Sequence, residues 1–388
     1  KPNNFRFVLT RIDILFAAFL FIVLVSAVNN WWEGAAKYVL QIPIFFILPY
    51  LLGRIMSDDD LVRFWVILLI MGAILLILMP IEYANLYLPY SNWSNPFIFS
   101  LSHGVMLCGL ILSAVFLVII TILLIRGSNK LSPIGTIHRV LDFGLLIFLS
   151  AVVVAVTWMA ARGSSIAAVI SAIFLFALSP SGVVRRKILV CLVCGASIAL
   201  AFGNQYFNKN NINFYNSIIQ KPTLVVTRSF ESSSSERLEN ISGSQSPILG
   251  EQACLLIKDS ISDRWIHYQT ALASFISHPY FGVGATRYGH YSCRGPGSFP
   301  HSTVLQVMSE LGTLGAIVYI TLLMLACKRY FTRYFLSEVS LVKGISMWLI
   351  SYMSLQFITN QMYGNYFVSA GMYLVLGIAS RFEIDSHS

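Results

Sequence analysis

Arg162, Arg264 and His301 are the side chains whose type and setting point most directly to chemistry. Arg162 sits in Ala160-Ala161-Arg162-Gly163-Ser164-Ser165, a short turn between two apolar runs, so its guanidinium is held near the end of both. There it suits an anion clamp, because Arg bonds phosphate in a bidentate way and the dipole of the following helix adds to an anion site. The competing role is an interfacial anchor that snorkels to headgroups. Arg264 stands beside Trp265 at the edge of an apolar helical face, with Asp259 and Asp263 as alternative ion-pair partners. His301 follows Pro300 and opens a long apolar run, where an imidazole suits a general base near neutral pH or a capping role. Arg287 and Arg294 read as weaker candidates or plain loop charges. Glu310, nine residues past His301, would lie roughly 13 Å further along a helix, where a carboxylate needs a partner and so braces helices or lines a cavity. The chain has no Walker loop, dinucleotide fingerprint or serine nucleophile elbow. Arg plus His without an acidic metal site fits a reaction with a phosphate leaving group and a hydroxyl acceptor.

The elements that must position these residues follow from composition. Of 388 residues, 56 % are hydrophobic and 11 % charged, against about 25 % charged in soluble domains. That excludes a soluble enzyme and a disordered scaffold. The net charge of +9 is not a nucleic-acid signal, since the basic residues form no single stripe. Continuous apolar runs near 20 residues predict membrane-crossing helices rather than the alternating segments of a barrel. Ten spans are expected, at roughly 12–30, 35–53, 61–80, 99–125, 140–161, 163–180, 187–203, 302–327, 343–360 and 364–380. The first lacks a small-residue cleavage site and reads as a retained helix. Sixteen of the 26 Lys and Arg residues fall in the loops of one side, whereas the short loops of the other hold only Lys37 and Arg162. The positive-inside rule therefore makes both termini cytoplasmic and turns 204–300 outward. The chain divides into an N-terminal bundle (1–203), an outward loop region (204–300) and C-terminal helices (301–388).

Within the outward region, 204–253 is rich in Asn and Ser and reads as a flexible loop. Over 260–278, Ile261, Trp265, Tyr268, Leu272, Phe275 and Ile276 recur at helical spacing, which predicts an amphipathic helix on the membrane surface or over a cavity. The helix ends at His278-Pro279, followed by a Phe281-Gly282-Val283-Gly284 turn. Residues 80–98 carry three prolines and several Tyr and Trp, a composition suited to a re-entrant or interfacial stretch. Cys191 and Cys194 form a lone C-x-x-C with apolar neighbours, a poor metal or redox site, while an oxidising exterior would permit a Cys254–Cys293 disulfide.

Taken in order, Arg162-Gly163, Arg264-Trp265, His278-Pro279-Tyr280-Phe281-Gly282-Val283-Gly284, Pro300-His301-Ser302 and Glu310-Leu311-Gly312 resemble the bacterial O-antigen ligase and polymerase superfamily over about residues 150–325. Two departures are Ser302, where that family often has Asn, and ten spans where about twelve are usual. The resemblance implies an all-α polytopic protein of the C-type glycosyltransferase architecture, with 10–12 spans and a large periplasmic loop containing an amphipathic helix. It implies an inner-membrane enzyme whose site faces the periplasm. The donor would be a glycan on undecaprenyl diphosphate, and the acceptor lipid A-core oligosaccharide. The alternatives are an O-antigen or exopolysaccharide polymerase using a lipid-linked repeat unit as acceptor, and a lipid-linked glycan transporter. His301 would be the base. Arg162, Arg264 and Arg287 would hold the diphosphate, with Glu310 in support. Neither a metal nor another cofactor is expected, and the transfer would be inverting.

Overall fold

A computed structural model describes residues 9–29, 35–87, 104–128, 136–158, 162–178, 182, 185–186, 188–190, 192–193, 261–291, 298–362, 365–366 and 369–385. The stretch 204–253, Cys191, Cys194, Cys254, Cys293, Arg294 and most of the expected span 187–203 lie outside these residues. Nearly all of the described chain is helical, and it contains no strand. The helices are α1 (Arg11–Asn29), α2 (Ala35–Ile42), α3 (Leu48–Ile55), α4 (Asp58–Tyr87), α5 (Gly104–Ser128), α6 (Thr136–Trp158) and α7 (Arg162–Leu178). They continue with α8 (Ile261–Ser277), α9 (Tyr288–Tyr291), α10 (Thr303–Leu336), α11 (Ser340–Met362) and α12 (Ala370–Asp385). Among the described residues, five helical stretches are long and apolar enough to cross a membrane: Arg11–Asn29, Asp58–Leu78, Cys108–Arg126, Thr303–Leu336 and Ser340–Gln361. Shorter apolar helices occupy Val39–Ile55, Leu141–Ala155, Ile166–Leu178 and Ala370–Phe382.

Two stretches differ from the simple expectation. The span at 35–53 is broken by a π-helical turn, Pro43–Ile47, which starts where Pro43 removes a backbone donor from the α ladder. Helix α4 runs through Pro80 to Tyr87 instead of stopping at the proline. Membrane helices tolerate such an interruption because the freed carbonyl finds other partners.

The chain forms two compact units. In the first (residues 1–16, 42–203 and 321–388), α5 is apolar all round and sits at the centre. Leu112, Val115, Leu117, Val118, Ile119 and Ile120 are all fully buried, as a helix without a polar face requires. Helices α7 and α11 pack on it. Trp348 of α11 meets Trp65 of α4 edge-on at 5.6 Å and stacks on Tyr352 at 5.0 Å. On α4, Ile67, Ile70, Ile74 and Ile77 form an exposed apolar row at helical spacing. Such a row is costly in water and ordinary against lipid.

Helices α3 and α12 cross at near backbone contact, since a Cβ on Gly53 or on Gly377 would collide with a carbonyl of the other helix. Asp13 of α1 lies beside that crossing. It pairs with Arg54 at 3.1 Å and accepts hydrogen bonds from the Thr10 N–H and hydroxyl, Tyr50 and Ser380. Both partners of the ion pair are at least nine-tenths buried. Asp13→Ala is expected to cost about 3–5 kcal/mol, because it strands a buried guanidinium. Thermal unfolding in nanodiscs checks this, and unchanged stability would refute it. The Asp58-Asp59-Asp60 run combines a helix cap with ion pairing. Asp60 and Ser57 cap α4 reciprocally, while Asp58 takes Arg333 at 2.5 Å and Arg381 at 3.6 Å.

Candidate functional site

The second unit (residues 17–41 and 204–320) contains four of the five sequence-predicted site residues: Arg264, Arg287, His301 and Glu310. Its organising feature is a break in α10 at Gly312, whose φ of 67° and ψ of −163° are not helical. An unbroken helix would join Thr313 N–H to the Ser309 carbonyl and Leu314 N–H to that of Glu310. Those two bonds are replaced by four. Thr313 and Leu314 donate to the carbonyls of Pro279 and Tyr280 at 2.7 and 3.4 Å. Val283 and Gly284 donate to Ser309 and Glu310 at 2.8 and 3.0 Å. The turn after α8 is thus sewn into the kink, and these two N–H groups and two carbonyls that the kink frees are satisfied. The approach is close enough that Gly282 and Gly312, both at positive φ, face each other with no room for a side chain.

This bonding decides what the glycine turn can do. A run of glycines with positive φ, ending near an arginine, has the look of a phosphate-binding nest. Here the N–H groups of Gly282, Val283, Gly284, Ala285 and Arg287 are all committed, to His278, Ser309, Glu310, the Ser26 hydroxyl of α1 and Gly284. The turn is a clasp that holds α8 against α10.

Glu310 is 1 % exposed and accepts from the Tyr288 N–H at 3.3 Å and from Gln306 at 3.4 Å. One of its oxygens is turned to α9 and the other to its own helix. Tyr288, fully buried, donates its hydroxyl to the His267 carbonyl at 2.9 Å, and the same oxygen lies 2.9 Å from His267 Nδ1. A phenol has one proton and a carbonyl only accepts, so Nδ1 must carry the hydrogen of that second bond. His267 is therefore fixed in orientation.

His301 lies against it. The two imidazoles meet edge-on with centroids 5.6 Å apart, and Phe299 covers His301 at 4.7 Å. The His301 backbone is left-handed, at φ 56°. Strained backbone of this kind gathers at functional sites. Ser302 then caps α10, with its hydroxyl accepting from Leu305 N–H at 3.4 Å. Asn and Ser serve equally well at such a position, which accounts for the departure at Ser302.

Arg264 is half-buried one turn before His267 on α8. Arg287, also half-buried, has a buried Nε without a hydrogen-bond partner among the described residues. A buried donor in that state is costly until an acceptor arrives. Arg162 is the first residue of α7 and belongs to the first unit, whereas the four residues above belong to the second. No group of His, Cys, Asp and Glu among the described residues could hold a metal.

Sequence reasoning missed His267 and Tyr288. The available signal was the place of His267 on α8, opposite the apolar stripe. The buried side of α8 carries His267, Ala271 and Ser274, while Trp265, Leu272 and Ile276 are exposed. No protein-family model matches the chain, and the curated proteins contain no significant match to it.

Proposed function

We propose that the chain is an O-antigen ligase-type glycosyltransferase of the bacterial inner membrane. It transfers a glycan from undecaprenyl diphosphate to a hydroxyl of lipid A-core at the periplasmic face. What supports this reading is the motif order described above, together with the buried Nε of Arg287, which has no hydrogen-bond partner among the described residues, in the unit that carries His301. The acceptor oxygen attacks the anomeric carbon as its proton passes to His301. The bond from that carbon to the diphosphate oxygen breaks, and undecaprenyl diphosphate leaves with the electron pair. A single displacement inverts the anomeric centre. Arg264 and Arg287 bind the diphosphate, where fixed cations help most as negative charge grows. Glu310 supports the site by holding Tyr288 and the clasp.

Reconstituted transfer from a lipid-linked donor tests the class, and its absence with every acceptor would overturn the proposal. Lipid A-core and a lipid-linked repeat unit, offered in competition, distinguish ligase from polymerase. Arg264→Ala and Arg287→Ala are each expected to weaken donor binding by about tenfold, the worth of one charge-assisted contact. Unchanged donor affinity in both would refute the clamp.

A further inference from the structure

The outer face of α8 has the opposite character from its buried face. At 3.6 residues per turn, Trp265, Leu272 and Ile276 fall on one line along the helix, on the side away from His267 and Ser274. Trp265 is 62 % exposed and Ile276 67 %. In the turn past the helix end, Tyr280 and Phe281 are each 75 % exposed. Gln269 also falls on that line, but five large exposed apolar side chains over 265–281 are more than a water-facing surface commonly carries.

The neighbouring helix indicates what covers the patch. The clasp bonds Tyr280 to Leu314 through the backbone, which sets the row beside the start of the second half of α10. That half displays its own exposed apolar stripe, Leu314, Ile317 and Ile320, on a helix long and apolar enough to cross a membrane. A stripe on a spanning helix faces acyl chains. The α8 patch adjoins that helix through the Leu314–Tyr280 bond, and its Trp and Tyr suit the headgroup level.

We infer that the face Trp265–Leu272–Ile276–Tyr280–Phe281 is a lipid-binding surface, and that α8 lies in the membrane interface with its apolar side in lipid and its His267 side turned inward. The inference rests on the membrane reading alone and is independent of the reaction proposed above.

The test uses the full chain in nanodiscs of phosphatidylethanolamine and phosphatidylglycerol. A benzophenone amino acid replaces Leu272, Ile276 or Phe281 in turn, all exposed positions, with Ile317 as the positive control. After irradiation, mass spectrometry sorts the adducts into lipid, a second copy of the chain, or a segment of the same chain. Lipid adducts are expected at all three positions, within about twofold of the yield at Ile317. Lipid yields below about a tenth of that control would overturn the inference. Crosslinks mainly to a second copy, or to a segment of the same chain, would overturn it as well and would assign the face to that occupant.

Discussion

Under the proposed transfer reaction, replacing His301 by alanine is expected to lower glycan transfer by about 10²–10⁴-fold while leaving donor binding intact, the range that loss of a positioned general base produces. The expectation rests on where the imidazole is held. His301 precedes the cap of α10, packs between Phe299 and His267, and adopts a left-handed backbone. His267 is itself fixed by Tyr288, so the packing around His301 is preorganised rather than adaptable. Alanine also disturbs that backbone, and the control is therefore His301→Asn. Asn adopts the left-handed region readily and is a poor base. Both variants should lose transfer to a similar degree, with donor affinity within about twofold of the parent. Substantial activity in His301→Asn would end the base assignment. Transfer lost only in the alanine variant would show that the residue shapes the backbone.

Gly312→Ala is expected to remove about 2–5 kcal/mol of stability, from strain in a backbone region almost reserved for glycine plus steric overlap. A Cβ there would come within 2.4 Å of the Tyr280 carbonyl oxygen and 2.6 Å of the Gly282 nitrogen. Both are backbone atoms tied into the clasp, so neither has a cheap way to retreat. The damage should spread beyond Gly312, since releasing the turn also strips the Ser309 and Glu310 carbonyls of their partners. Gly144 of α6 is the control. A Cβ there meets nothing within 4 Å, and Gly144→Ala should be neutral or slightly stabilising. Thermal unfolding in nanodiscs compares the two. Equal stability of Gly312→Ala and the parent would mean that the clasp does not hold α8 to α10.

The apolar helices were readable because a backbone in lipid must satisfy itself, and only long apolar helices do so alone. Helix α8 was readable too, as Ile261–Ser277 against an expected 260–278. What the pattern did not carry was direction. An amphipathic helix in water buries its apolar side, but one at a lipid surface exposes it, and the periodicity is identical. The same limit applied to Glu310. Its need for partners followed from its place in an apolar run, but their identity did not. They come from Tyr288 and Gln306, one far along the chain and one a single turn away.

The sequence by itself determined the helical class, the approximate span ends, and the residue types of the candidate site. It also marked Gly282, Gly284 and Gly312 as parts of a motif, without their purpose. Only the tertiary structure decided that these glycines form a clasp with committed N–H groups, that His267 and Tyr288 stand behind His301, and that α8 turns its polar side inward. The physical reason is that hydropathy measures the cost of moving a side chain between water and lipid, a property of one residue. Hydrogen-bond satisfaction and close packing belong to pairs of residues, and the pairs exist only once the chain has folded.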